Sequence, residues 1–312
     1  MEYASTRGLT VSKITLGTVQ LGMNYGINNQ DGQPSVEKAN GILETAINGG
    51  INTFDTSSDY GTSERVVGDY FKRVGGEKPL IVTKFGVKNT DNPLPFLEIE
   101  KRVREQVENS LTHLGYQKLP LLLVHDENDL LCYGESLAVI LSRLKSENLI
   151  DKVGVSLNHF SCVDEVLKYD MYEAVQLPLN ILDVKNATGS NIKKLAQRGI
   201  AVFIRSVYLQ GLLFRNPSSL PQGVLQNAKE PLEKLQKIAE EENVTIAELA
   251  LAYIRDLEGV SSLVMGADNS QQVKENIELI NAKRLSGNAI EKIIGAFANI
   301  DERVLSPWLW NK

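Results

Sequence analysis

Residues 80–85 read LIVTKF, residues 99–115 IEKRVREQVENSLTHLG, and residues 119–125 LPLLLVH. The outer two are short apolar runs of strand length. In the middle one, Ile99, Val103, Val107, Leu111 and Leu114 fall on one helical face and Gly115 is placed to end the helix. This is a strand-helix-strand unit. The same alternation extends in both directions through KITLGT (13–18), INTFDT (51–56), DKVGVS (151–156), EAVQLP (173–178), AVFIRS (201–206) and SSLVMG (261–266). A helical stretch follows each run; in SVEKANGILETAINGG (35–50), Ser35 is expected to cap and Gly49 to stop the helix. Eight such strands, with seven helical segments between them and one after the last, predict an α/β fold, the (β/α)8 TIM barrel. A doubly wound sheet shares the local pattern, but its G-x-G-x-x-G turn is absent, as is a P-loop. Residues 1–312 are therefore expected to form a single barrel domain, with a short N-terminal segment capping the barrel.

Composition narrows the function. The chain has 312 residues, 42% hydrophobic and 23% charged, which is ordinary globular composition. Its net charge of −6 offers no basic field for sequence-independent nucleic-acid binding. Cys132 and Cys162 are too few for a disulfide framework, and His113, His125 and His159 lie in no zinc-binding spacing, so no metal site is expected. No apolar stretch approaches the ~20 residues that cross a bilayer, and a cytoplasmic, non-membrane protein is expected.

In a barrel of this kind, chemistry sits at the C-terminal ends of the strands. Those ends place Asp55 after INTF, Tyr60 in the following loop, Lys84 at the end of LIVTK and His125 at the end of LPLLLVH. Taken singly, Asp55 reads as a turn cap, Tyr60 as a loop aromatic, Lys84 as a surface amine and His125 as a satisfied core histidine. Together they read differently, because an apolar strand ending in lysine requires a partner for the charge. A tyrosine hydroxyl, with an unperturbed pKa of about 10, is a weak acid at neutral pH. A neighbouring ammonium stabilises the phenolate, and Asp55 would hold that ammonium in place. The set suits proton transfer to or from an alkoxide as hydride arrives or leaves.

These residues lie inside longer strings. FDTSSDYGTSERVVG, TKFG and LLLVHD resemble the aldo-keto reductase signature segments. The likeness continues through GVSLNHF, AVQLPLN, GIAVFIRSVYLQGLL and VTIAELALAYIRDLEGVSSLVMGADNSQQVKEN, covering most of the chain from LGTVQLG onward. The resemblance implies an oxidoreductase that uses NADP(H) or NAD(H) to interconvert aldehydes or ketones and alcohols. It implies Asp55, Tyr60 as general acid, Lys84 and His125 as the catalytic tetrad. Ser156, Asn158 and Gln176 match positions that hold the nicotinamide carboxamide. Arg205 stands where many relatives place an aromatic ring against the nicotinamide, and a planar guanidinium can also stack; a structural ion pair is the alternative. Ser206 and Leu209 to Gly211 resemble the pyrophosphate stretch, followed by FRNPSSLPQG, a loop placed to fold over the cofactor. Gly17 and Thr18 are assigned to the same site. Glu275 and Asn276 match the adenine-contacting pair, and Gln272 the variant in which glutamine replaces arginine. Gly266 stands where some relatives carry lysine and Asp268 where others carry serine. An aspartate repels a 2′-phosphate and accepts from a free ribose hydroxyl, so NAD(H) is expected to serve at least as readily as NADP(H).

The loop MNYGINNQDGQPS (23–35), with Tyr25, Asn28, Asn29 and Gln33, gives the rim a polar lining that suits a sugar or polyol. Tyr25, His159 and Trp308 are the candidate substrate contacts, although Trp308 and Trp310 equally read as a clamp for the tail. His113, inside an amphipathic helix, is expected to face solvent. Two other readings stay open: a Schiff-base aldolase with Lys84 as nucleophile, and a cofactor-sensing binding protein with weak turnover.

Overall fold

Each of the eight apolar runs becomes a strand, and the strands close on one another. In the computed structural model, residues 1–26, 32–87 and 93–310 are described. A hairpin of β1 (Tyr3–Thr6) and β2 (Leu9–Ser12) precedes β3 (Ile14–Gly17), β4 (Thr53–Asp55), β5 (Leu80–Phe85), β6 (Leu119–Val124), β7 (Ile150–Ser156), β8 (Ala174–Pro178), β9 (Ala201–Arg205) and β10 (Ser262–Gly266). β3 to β10 pair in parallel, each with its neighbours in the chain, and β10 returns to pair with β3. That closed ring is the (β/α)8 barrel, with helices outside. Burying the outer strand faces against those helices produces the main apolar core.

The helix at Phe96–Leu114 shows why the pattern was readable. Ile99, Val103, Val107 and Leu114 are buried on one face, and Gly115 follows at φ 69°, a left-handed conformation that costs glycine little. Ser35 caps Val36–Asn48 by accepting from Lys38 N, as expected. The left-handed residue after that helix is Gly50 (φ 83°), however, while Gly49 stays at φ −81°. Two helices, Lys229–Glu242 and Ile246–Arg255, fill the space between β9 and β10 instead of one, and two more, Ser270–Ile280 and Gly287–Ala296, follow β10. His113 does not face solvent freely: it is half-buried, with Nδ1 3.4 Å from Oε2 of the buried Glu64.

The hairpin closes the N-terminal end of the barrel. Leu9 and Val11 pack with the inward side chains Val82, Leu121, Leu123, Ala174, Ala201 and Phe203 in a second, separate apolar cluster. The seam between first and last barrel strands carries polar links as well. Thr15 and Ser262 share a hydroxyl hydrogen bond of 2.7 Å, Ser262 Oγ donates to Ser12 O at 2.7 Å, and Lys13 Nζ donates to Val260 O at 3.0 Å.

Candidate active site

Side chains along a strand alternate between barrel interior and exterior, so inward positions recur every second residue. Two residues beyond the apolar plug, the same inward rows turn polar: Val82 is followed by Lys84, Leu123 by His125, Ala174 by Gln176 and Phe203 by Arg205. Above them opens a cavity of about 850 Å³ lined by Asp55, Tyr60, His125, Ser156, Asn158, Gln176 and Arg205 among others. Its size suits an extended cofactor together with a small substrate.

Lys84 is buried just behind the cavity wall, at 1% exposure. Its Nζ donates to Asp55 Oδ2 at 2.8 Å and to Thr56 O at 2.8 Å, and lies 3.4 Å from the Tyr60 hydroxyl. Burial alone would lower the ammonium's pKa; the charge of Asp55, helped by Tyr60, outweighs burial and holds it above the ordinary lysine value. Lys84 is thus a fixed cation at neutral pH. Asp55 is held on its other oxygen by Gln176 Nε2 at 2.8 Å. His125 packs edge-on against Tyr60, with ring centroids 5.7 Å apart. Its Nδ1 lies 3.2 Å from Ser57 Oγ and 3.5 Å from Asp59 Oδ2.

Most of the other sequence-predicted site residues line the same cavity. Gly17, Thr18, Tyr25, Ser206, Gly211, Gly266, Asp268, Gln272, Glu275 and Asn276 all do so. The turn after β9 carries four left-handed residues, Ser206 (φ 64°) and then Leu209 (49°), Gln210 (53°) and Gly211 (90°) in a row. Such backbone is uncommon for non-glycine residues. Leu209 itself is buried in the core beneath it. From FRNPSSLPQG, Phe214 reaches the cavity. Tyr25 OH accepts from Gln210 Nε2 at 3.2 Å, joining the loops after β3 and β9. Burial raises the Tyr25 pKa, and the nearby Tyr60 adds to this. At the far end, Asn269 caps Ser270–Ile280 by accepting from Gln272 N, and Gln272 Oε1 accepts from Asp268 N at 2.7 Å.

His159 is not among the lining residues. Its Nδ1 bonds Glu127, a buried carboxylate that also accepts from Asn158 N at 2.8 Å and His159 N at 3.0 Å. The Trp308 side chain, Asn28 and Asn29 lie outside the described residues. Trp310 packs against the core and donates to Val304 O at 3.1 Å, fastening the tail locally.

Sequence reading missed three carboxylates at the cavity's other end, Asp59, Asp126 and Asp129. Asp129 accepts from Val87 N at 2.7 Å, and its pKa is pushed up to about 6, by burial first, with Asp126 and Asp59 adding to it against the Val87 hydrogen bond. It also missed Gln20. Gln20 Oε1 is buried without a hydrogen-bond partner among the described residues, over Gly266, where a Cβ would meet the Gln20 amide at 2.5 Å.

This geometry agrees with what comparison finds. The aldo/keto reductase family model matches residues 13–296. Among curated proteins, the chain is similar to the NADH-specific methylglyoxal reductase of Escherichia coli (29% identical over 306 residues, 88% of this chain and 92% of the relative). It is also similar to the pyridoxal 4-dehydrogenase of Microbacterium luteolum (25% over 319 residues, 86% and 90%). Among solved structures, an aldo-keto reductase of Bacillus halodurans in its holo form superposes with a TM-score of 0.77 at 23% identity, covering 98% of this chain and 99% of that one. The glycerol dehydrogenase of Gluconobacter oxydans gives 0.74 at 20%, covering 96% and 97%. The chain belongs to the aldo/keto reductase family of oxidoreductases, whose cofactor is NAD(H) or NADP(H) and whose substrates are small molecules. The residues present fit that cofactor: the orphaned Gln20 acceptor and the amide and hydroxyl groups of Ser156, Asn158 and Gln176 all line one cavity. Among the described residues, no helix is long and apolar enough to cross a membrane, and no group of three or more metal-ligating side chains assembles.

Proposed function

We propose that this protein interconverts a small polar aldehyde or ketone and its alcohol, with Tyr60 as the proton-transferring acid or base. The carrying observation is the Asp55–Lys84–Tyr60 line, 2.8 Å and then 3.4 Å, at the cavity wall. The bound nicotinamide supplies or accepts hydride. Tyr60 OH gives its proton to the carbonyl oxygen in the reducing direction, and the ammonium of Lys84 steadies the phenolate left behind. Asp55 keeps Lys84 charged and in place, and Gln176 keeps Asp55 in place. His125, with Nδ1 engaged by Ser57 and Asp59, would use its other nitrogen to orient the substrate oxygen. Ser156 and Asn158, with Gln176, would hold the carboxamide; Ser206 to Gly211 and the N-terminus of Ser270–Ile280 would hold the phosphates.

The Schiff-base alternative is weakened by the same geometry, since an ammonium committed to three oxygens is a poor nucleophile. Changing Tyr60 to Phe is expected to reduce turnover at least a thousandfold while nicotinamide binding persists; retained turnover would overturn the role of Tyr60.

Asp59, Asp126 and Asp129, with Tyr25 and Gln210, give the cavity polar lining that supports a hydroxylated or otherwise polar substrate over an alkyl one. The methylglyoxal, glycerol and pyridoxal named for similar proteins are small and polar too. For the cofactor, the exposed carboxylate of Asp268 and the engagement of Gln272 with Asp268 N favour NAD(H). Comparing kcat/KM for the two cofactors tests this: a preference above ~30-fold for NADPH, about 2 kcal/mol, overturns it.

A further inference from the structure

Two cations stand at the catalytic end of the cavity, and they are compensated differently. Lys84 has a carboxylate at 2.8 Å. Arg205, at the end of β9, spends its Nη2 on two neutral oxygens, Leu157 O at 3.1 Å and Asn158 Oδ1 at 2.6 Å. No ion pair to Arg205 forms among the described residues. Burial lowers its pKa, opposed by the charges of Tyr60, Tyr25, Asp55 and Glu127, and a guanidinium stays charged regardless. The cavity wall therefore holds a fixed positive charge, pinned in orientation, within electrostatic reach of Tyr60.

Hydride transfer fixes where the nicotinamide must lie. With a carbonyl oxygen at Tyr60 OH, the donor carbon must sit roughly 3–3.5 Å from the carbonyl carbon, so the ring occupies the same small region that Arg205 faces. The two redox forms of that ring differ by one unit of charge: oxidised it is a cation, reduced it is neutral.

We propose that Arg205 is a redox-state selector: its charge, which has no direct ion-pair partner among the described residues, disfavours the oxidised, cationic nicotinamide and so makes the site bind the reduced cofactor more tightly. The inference rests on the nicotinamide reading of the cavity and adds to it a thermodynamic bias set by one residue. Unit charges ~6 Å apart at an effective dielectric of ~20 change binding about a hundredfold, and partial solvation reduces this to about tenfold. A tenfold ratio of dissociation constants raises the midpoint potential of the bound two-electron couple by about 30 mV. On the protein, the balance between carbonyl reduction and alcohol oxidation is then tilted toward oxidation relative to free cofactor. Another cation in place of Arg205 keeps this effect; a neutral side chain loses it.

The test is equilibrium binding, without substrate, of NADH and NAD+ and of NADPH and NADP+. Wild type is compared with Arg205→Lys, Arg205→Met and Arg205→Gln, the last keeping a donor for Leu157 O should the Met variant fail to fold. Wild type and Arg205→Lys are expected to favour the reduced form, and the neutral variants to lower the oxidised-to-reduced Kd ratio about tenfold. Equal weakening of both forms in the neutral variants, with the ratio unchanged, would show that Arg205 only supports the Asn158 loop and would overturn the proposal. Failure of wild type to bind either dinucleotide would instead overturn the cofactor reading of the cavity, and this inference with it.

Discussion

The two ends of the barrel are made from the same strands, with inward positions only two residues apart, yet they do opposite things. At the N-terminal end, Val82, Leu121, Ala174 and Phe203 meet Leu9 and Val11 of the hairpin and form a dry plug. At the C-terminal end, Gln176 and Arg205 face a cavity, Lys84 lies just behind its wall, and all three are held by hydrogen bonds and charge. The plug stabilises through area and close packing, which tolerate exchanges of similar volume. The upper layer tolerates few exchanges, because each polar group there is the partner of another.

Substitutions at each end separate the two roles. Lys84→Met should have the largest effect, striking both properties. It leaves Asp55 buried without its counter-charge, at a cost of ~3–5 kcal/mol measured by denaturant unfolding, and turnover should fall at least a thousandfold. A variant with full stability would break the contrast drawn here. Leu121→Ala, in the plug, is expected to cost a comparable ~2–5 kcal/mol while kcat/KM per folded molecule stays within about threefold. A large loss of kcat/KM there would mean that the two layers are mechanically coupled.

Asp129→Asn probes the cavity wall at the C-terminal end, and its effect depends on pH. The folded pKa of about 6 lies above the ordinary aspartate value of 3.8, so the native protein holds this proton more tightly than the unfolded chain. Ionisation therefore destabilises the fold progressively as pH rises from about 4 through 6. Asparagine keeps an oxygen for Val87 N, so the variant should match wild type below pH ~4 and exceed it above pH ~6, by roughly 3 kcal/mol at most. Thermal unfolding across that range checks the sign. Smallest is Thr245→Ala, which removes the capping box that Thr245 and Glu248 form on an outer helix. It should cost ~1 kcal/mol, and because Ala247 of that helix lines the cavity, kcat/KM per folded molecule should stay within about threefold and not be wholly unaffected.

The sequence made the fold legible because β-branched runs and helical spacing are local properties, and every barrel strand coincides with one of the eight runs. Asp55, Lys84 and His125 were legible as one rim because they stand at or just past strand ends, where position is set by a period of two; Ser156, Gln176 and Arg205 lie at strand ends too, but only the resemblance to the family's segments singled them out. Residues on loops were not. Asp59 follows Ser57 and Ser58 in a turn with no periodicity, and Asp126 and Asp129 open a helix in a stretch read only for its histidine. Glu127 left one signal, an acidic residue in the first turn immediately beyond His125. Its clamp on the Asn158 and His159 amides spans 31 and 32 residues, which no local pattern reports.

The seam between β3 and β10 also has a kinetic consequence. Leu263 pairs with Ile14, nearly the full length of the chain away, so the ring closes only when its last strand is in place. Until then β3 and β9 present open edges, the state in which parallel sheets are most prone to pair with other chains. The Thr15, Ser262, Ser12 and Lys13 links can form only at that final step. They are thus expected to contribute little to how fast the protein folds and much to how slowly it reopens.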